Sequence, residues 1–204
     1  MFYNGSNIAY CLVYVDDLIL TGNNSVFVAN IIDQLGQTFS IKDLGPLHFF
    51  LGVEVIPTAD GLFLTQHKYI RDLLAKTSMD GARDITTPLS TSVSLQLNDG
   101  SSSVDSIEFC KVIGALQYLS FTRPDISFAV NKLSQFMHRP TQIHWTATKR
   151  LLRYLKNTIF YGINIRKTSS PTLTCFSDAD WAGSMDDRKS TSAYLFFLGN
   201  TPIS

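Results

Sequence analysis

The chain has 204 residues, 45% apolar and 17% charged, and its 17 basic and 17 acidic side chains leave a formal net charge of zero. That length allows one or two domains, zero net charge excludes a global field that would draw in nucleic acid, and no apolar run approaches the ~18 residues of a membrane-spanning helix. The charged fraction lies below the ~25% usual for globular domains, which points to faces that something else covers, as in a piece of a larger protein.

Two apolar runs, residues 8–13 and 18–20, flank Tyr14-Val15-Asp16-Asp17. Strand formers around a polar centre predict a tight β-hairpin with the two acids at or next to its turn. After a loop at 21–24, Ser25 reads as an N-cap. Val28, Ile31, Ile32 and Leu35 then recur at helical spacing to about Phe39. Residues 47–56 read as a strand, 58–61 as a turn and 62–64 as the partner strand, a second hairpin. Thr65 is placed to cap a helix whose buried stripe is Tyr69, Ile70, Leu73 and Leu74, closed by Gly81.

Residues 86–106 are rich in Ser and Thr without periodicity and read as a surface linker and domain boundary. Asp105-Ser106-Ile107-Glu108 resembles a capping box with Asp at the cap, opening a helix to about Ser120. Pro124 and Asp125 suit the first turn of another, running to about Met137. Thr141 caps a third, with Trp145, Leu151, Leu152 and Leu155 apolar and Gly162 at its end. Three short-looped helices predict a small bundle. Strand patterns return at 173–177 and 192–198, separated by a polar turn that starts at Asp178.

On the residues alone, Asp16 and Asp17 have two readings. Asp favours turns, and adjacent carboxylates at a sheet edge offer a divalent metal hard oxygen ligands. From Ile126 to Ser177 there is no acid, while Lys132, Arg139, Lys149, Arg150, Arg153, Lys156, Arg166 and Lys167 all fall there. Such a block is the footprint of a phosphate-tracking surface or of a solvated helix face. Cys11, Cys110 and Cys175 make no metal spacing or disulfide framework and read as reduced, mostly buried thiols. His67, His138 and His144 have no zinc spacing and read as surface or packing residues.

The order of motifs carries a resemblance. Tyr14-Val15-Asp16-Asp17, Phe39–Gly45, His48–Glu54, Ile113–Leu119, Thr122-Arg123-Pro124-Asp125 and Ser177–Gly183 together resemble the reverse transcriptase of copia-type retrotransposon Pol proteins. The resemblance implies an α+β fold. Residues 1–64 would be the C-terminal part of the palm, with the YVDD hairpin and the primer-grip hairpin. Residues 65–168 would be a helical thumb and connection, with the linker at about 86–106. Residues 169–204 would be the truncated start of an RNase H-like α/β domain.

Roles follow as implications of that resemblance. Asp16 would be a direct Mg2+ ligand and Asp17 its neighbour in a two-metal site. The third acid would come from an earlier palm strand, expected to lie before Met1. Lys42 matches the position near the incoming nucleotide's phosphates, with a general-acid role, or is an exposed loop lysine. Leu51 and Gly52 would centre the primer grip, where a residue without a side chain lets backbone approach the primer; the other reading of Gly52 is a bulge. Gly114 and Tyr118, four apart, would face the minor groove of the duplex, or Gly114 would make room for a neighbouring helix. Lys149, Arg150 and Arg153 would track phosphates. Asp178 matches the first metal-binding Asp of RNase H, whose further acids are expected beyond Ser204. Asp180, Asp186 and Asp187 read as solvated, and Trp181 as a packing residue.

The implied partners are an RNA or DNA template–primer duplex, a deoxynucleoside triphosphate, Mg2+ and the absent N-terminal palm and fingers segment. The implied function is a fragment of an RNA-directed DNA polymerase, incomplete for catalysis alone. The alternative is a non-enzymatic nucleic-acid-binding remnant.

Overall fold

A computed structural model of the chain describes residues 1–167 and 172–203. The fold is α+β, in two compact units, Met1–Leu51 and Gly52–Ser204. Among the described residues no helix is long and apolar enough to cross a membrane.

In the first unit, strands β1 (Phe2–Asn4), β2 (Asn7–Tyr14) and β3 (Asp17–Gly22) form an antiparallel sheet in chain order. The short β1 was not foreseen. Helix α1 (Ser25–Thr38) follows, and its cap is Asn24 rather than the expected Ser25. The Asn24 side chain accepts a hydrogen bond from the Phe27 N–H at 3.1 Å, which satisfies one free donor of the first turn. Ala9 on the sheet and Ile31 on the helix are the buried residues of this unit. The short strand β4 (Phe49–Phe50) comes near its end.

In the second unit, β5 (Val53–Thr58), β6 (Gly61–Thr65) and β7 (Ile163–Arg166) pair antiparallel in that order. The single strand expected over 47–56 is interrupted, because Leu51 and Gly52 both take left-handed backbone, with φ of 48° and 74°. Strand β7 returns the chain to the edge of the β5–β6 hairpin. That hairpin therefore folds with the helices, and the division falls at 51/52 where the motifs placed one at 64/65. The boundary expected between residues 168 and 169 lies outside the described residues.

Four helices of this unit pack on one another: α2 (His67–Lys76), α3 (Ser106–Leu119), α4 (Ser127–Ser134) and α5 (Gln142–Asn157). Ile70, Phe109, Ile113, Leu116, Leu133, Leu151, Leu152 and Leu155 interlock with no exposed surface. Truncating any of these leucines to Ala costs about 2–5 kcal/mol, since transfer and cavity terms add. Asp105 caps α3 as expected, accepting from the Ile107 and Glu108 N–H groups. Thr141 caps α5. The expected cap Thr65 is displaced by Gln66, whose side chain instead accepts from the buried Thr122 hydroxyl at 2.7 Å. The helix expected from Pro124 to Met137 opens as a 3₁₀ turn, Pro124–Ile126, and its α-helical part ends at Ser134.

Between α2 and α3 the chain has no regular element, yet it is a strap fastened to the bundle rather than a free linker. Leu95 is buried in the core. Ser103 bridges Thr141, the Val104 N–H donates to the Pro140 carbonyl, and the Gln142 N–H donates to the Ser102 carbonyl.

Strands β8 (Leu173–Ala179), β9 (Ser192–Leu198) and β10 (Thr201–Pro202) form an antiparallel sheet ordered β10-β9-β8. Every residue of β8 is exposed. Trp181, read from the sequence as a packing residue, is 93% exposed, because it sits in the β8–β9 loop where no element covers it. Cys175 is also exposed, against the expectation of mostly buried thiols.

Candidate functional site

The β2–β3 hairpin closes with Tyr14 paired to Asp17, leaving Val15 and Asp16 as its two-residue turn. Val15 has φ 49° and is 81% exposed. A β-branched side chain in left-handed backbone costs about 1–3 kcal/mol, and no burial offsets it here. Asp16 and Asp17 are both exposed and, among the described residues, neither side chain is hydrogen-bonded. Two adjacent carboxylates free of internal partners suit a hard divalent cation. No group of three or more metal-ligating side chains gathers among the described residues. Lys42 lies exposed in the irregular stretch after α1.

Gly52 and Tyr118 come together. A methyl group placed on Gly52 would lie 2.6 Å from the Tyr118 hydroxyl oxygen. Tyr118 also packs against Tyr69, centroids 5.1 Å apart, and the Tyr69 hydroxyl donates to the Ala115 carbonyl at 3.4 Å. Burial, and then the nearby Tyr118, push the Tyr69 phenol pKa up. Gly114, one turn before Tyr118, has the opposite surroundings: apart from its own stretch of helix, no atom of the described residues lies within 4 Å of where its side chain would start. The reading in which Gly114 makes room for a neighbouring helix therefore finds no neighbour among the described residues. A mid-helix glycine costs about 1 kcal/mol relative to Ala, and no packing within the described chain offsets it.

The α5 cations are unequal. Lys149 is exposed, its ammonium 5.5 Å from the Trp145 ring centre. Arg150 donates to the Thr87 hydroxyl at 2.6 Å, and Arg153 donates to the Arg83 carbonyl. Lys156 donates to the Ala82 carbonyl at 2.8 Å and pairs with Asp84 at 3.3 Å. Three of the cations expected to track phosphates, or beside those that do, thus hold the strap.

Asp178 stands on β8 opposite Ala193, and its carboxylate accepts from the Ala179 N–H at 2.9 Å. The acids read as solvated are exposed but engaged. Asp180 accepts from the Thr191 N–H at 2.6 Å, Asp186 from the Leu97 N–H at 2.9 Å, and Asp187 pairs with Lys189 at 2.8 Å. Hydrogen bonding from Lys189 lowers the Asp187 pKa to about 2.

Two polar clusters had no assigned role in the sequence. Arg123, 1% exposed, forks onto Asp125 at 2.9 and 2.7 Å and donates to the Thr158 carbonyl at 3.0 Å and hydroxyl at 2.6 Å. The Tyr154 hydroxyl donates to the same carboxylate at 2.7 Å. Burial alone would raise the Asp125 pKa, but the Arg123 and Tyr154 hydrogen bonds and the Arg123 charge outweigh it and hold it below the usual range. In the second cluster, His144 has no exposed surface and stacks on Phe136 with centroids 3.9 Å apart. Its Nδ1 accepts from the Thr141 N–H at 3.0 Å, and the Thr141 hydroxyl donates to Asp99 on the strap. Burial lowers the His144 pKa against the opposing pull of Asp99.

Residues 1–91 match the family model described as Reverse transcriptase (RNA-dependent DNA polymerase). Over 200 residues, 98% of its length, the chain is 50% identical to the Retrovirus-related Pol polyprotein from transposon RE1 of Arabidopsis thaliana. The chain belongs to the copia-type retrotransposon reverse transcriptases. It is 34% identical over 215 residues to the Retrovirus-related Pol polyprotein from transposon TNT 1-94 of Nicotiana tabacum, covering 99% of the chain. It is also 45% identical over 198 residues to an uncharacterized mitochondrial protein of Arabidopsis thaliana, covering 96% of the chain and 81% of that protein. The chain spans 14% of the length of the RE1 polyprotein and 16% of the TNT 1-94 polyprotein. No solved structure matched it. The family model covers the Asp16–Asp17 hairpin, Lys42 and Gly52. Helix α3 and all that follows are covered by the polyprotein relatives.

Proposed function

We propose that the chain supplies part of a template-primed nucleotidyl transferase: the palm hairpin with Asp16 and Asp17, the primer grip at Leu51–Gly52, a helical thumb, and the first strands of an RNase H-like domain. The observation that carries this is the strained two-residue turn, which leaves both carboxylates exposed and without internal partners. Asp16 and Asp17 would hold Mg2+, which when bound neutralises charge on the oxygens of the transferred phosphoryl group. Lys42 would meet the phosphates of the incoming deoxynucleoside triphosphate. A third carboxylate would come from another segment of the polyprotein, so the chain alone does not polymerise. Primer extension with purified chain, Mg2+ and all four deoxynucleoside triphosphates tests this. No incorporation is expected; incorporation that vanishes in Asp16→Ala would overturn the claim of incompleteness.

A second reading, a nucleic-acid-binding remnant without catalysis, is favoured by Gly114, which stands open on α3 where a duplex backbone can approach. Affinity for duplex should fall steeply with added salt, because phosphate contacts release counterions. Salt-insensitive binding, or none in dilute buffer, would remove it.

A further inference from the structure

Helix α5 grips the strap at two neighbouring points. Arg150 Nη2 donates to the Thr87 hydroxyl at 2.6 Å, and Arg153 Nε donates to the Arg83 carbonyl. Residues three apart share a helix face, so both side chains reach the same short stretch of strap, residues 83–87. Among the described residues no carboxylate pairs with Arg83, Arg150 or Arg153, and the one acid of that stretch, Asp84, is taken by Lys156 at 3.3 Å. The Nε of Arg150 is cut off from solvent and meets no acceptor. A buried charged donor without a partner is costly, so an acceptor brought to this point would be held. Thr87 is the residue that can bring one. It is exposed, it lies in a stretch without helix or strand, and Pro88 follows it. Proline has no N–H and keeps the residue before it extended, which is the backbone a proline-directed kinase reads. Two other hydroxyl–proline pairs occur in the chain. Thr201, before Pro202, is buried, and its hydroxyl accepts from the Arg166 N–H and donates to the Asn164 carbonyl. Ser170, before Pro171, lies outside the described residues.

We infer that Thr87 is a phosphorylation site, and that Arg150 and Arg153 receive its phosphate and so lock the strap onto α5. In the modifying step the Thr87 oxygen attacks the terminal phosphorus of a nucleoside triphosphate held by the kinase. The new O–P bond forms, the P–O bond to the nucleoside diphosphate breaks, and the hydroxyl proton passes to the base of the kinase. One neutral hydroxyl is thereby replaced by a group with a charge of about −1.5 to −2 and three acceptor oxygens. Arg150 keeps its contact in the exchange, because the N–H that meets the hydroxyl meets a phosphoryl oxygen instead. Its Nε gains the acceptor it lacks, which gives the two-pronged guanidinium–phosphate pair. Arg153, one turn along α5, adds a second positive charge, and Arg83 brings a third from the strap itself. The opposing charge is Asp84, which Lys156 already pairs.

The test treats the full chain with a proline-directed serine/threonine kinase, Mg2+ and ATP, and locates the phosphate by fragmentation mass spectrometry. Thr87 should be modified, and Thr87→Ala should lose that site while keeping any phosphate on Ser170. Hydrogen exchange of the amides of residues 82–88 should slow about tenfold on phosphorylation, the factor for one net charge-assisted hydrogen bond. In Arg150→Gln, compared with and without phosphate, the slowing should vanish. Phosphorus NMR reads the lock with no substitution in α5. Held by guanidinium groups, the phosphate should titrate below the ~6 usual for a phosphothreonine in the folded chain and return to that value in urea. No phosphate on Thr87, exchange over 82–88 that is unchanged or faster, or the same phosphate titration in the folded chain and in urea each overturns the inference. Slowing that survives in Arg150→Gln overturns it as well, because the phosphate is then held by some other group.

Discussion

The phenol of Tyr118 occupies the space in which Gly52 would carry a side chain. Two residues 66 positions apart, each flagged from its own motif, are thus one contact, and the contact explains why a side chain is excluded at Gly52. Gly52→Ala should destabilise the second unit by about 2 kcal/mol, combining left-handed backbone strain with the clash. Tyr118→Phe removes the atom in the way, so the double variant should recover part of the loss but not the backbone component. Urea unfolding of the four-member cycle measures this; strict additivity would show that the contact does not matter.

Val15 offers a gain. Asn tolerates left-handed backbone where Val does not, so Val15→Asn should stabilise the first unit by about 0.5–1 kcal/mol. Hydrogen exchange of the β2–β3 amides reads this locally, and no slowing would mean that the turn is relaxed with Val in place.

The Arg123 knot is a stability device with a pH signature. Arg123→Met leaves the Asp125 carboxylate and the Thr158 carbonyl without their shared donor and should cost about 3 kcal/mol. The Asp125 pKa is depressed on folding, so its contribution is full above the unfolded value and is lost as pH falls through the folded value, below the usual carboxylate range. His144, also depressed, acts in the same direction: protonation of the unfolded chain begins near 6.5, and stability declines as pH falls from there. Unfolding midpoints should therefore drop in two stages on acidification. Replacing Asp125 with Asn should flatten only the lower one.

The α5 cations should separate by function. Arg153→Gln should speed hydrogen exchange of the amides of residues 82–87 and leave the salt slope of duplex binding nearly unchanged. Lys149→Ala should do the reverse, lowering the slope by about 1. If Arg153→Gln instead removes a phosphate contact without loosening the strap, the assignment made from the hydrogen bonds is wrong.

Elements defined by nearby residues were legible in advance. Asp105 and Thr141 marked two helix starts, and a strand-like apolar run marked β9 from Ser192 to Leu198. What depended on distant partners was not. Strand β7 is four residues whose identity as a strand comes from pairing with β6 about 100 positions earlier, and nothing local announces that. The hairpin that carries Asp16 and Asp17 was readable because two strands and a turn are a local unit. The Tyr118–Gly52 contact was not, since it depends on how α3 packs.

The strap bears on the long acid-free run from Ile126 to Ser177. Counting charged letters there suggests a strongly electropositive surface awaiting an anion. Yet Arg153 is met by a main-chain carbonyl and Arg150 by a hydroxyl. These groups carry dipoles but no formal charge, so a tally of ionic residues cannot see them. The field that an approaching polyanion meets is therefore patchier than the letters imply, and it is strongest where a cation such as Lys149 has been left to the solvent.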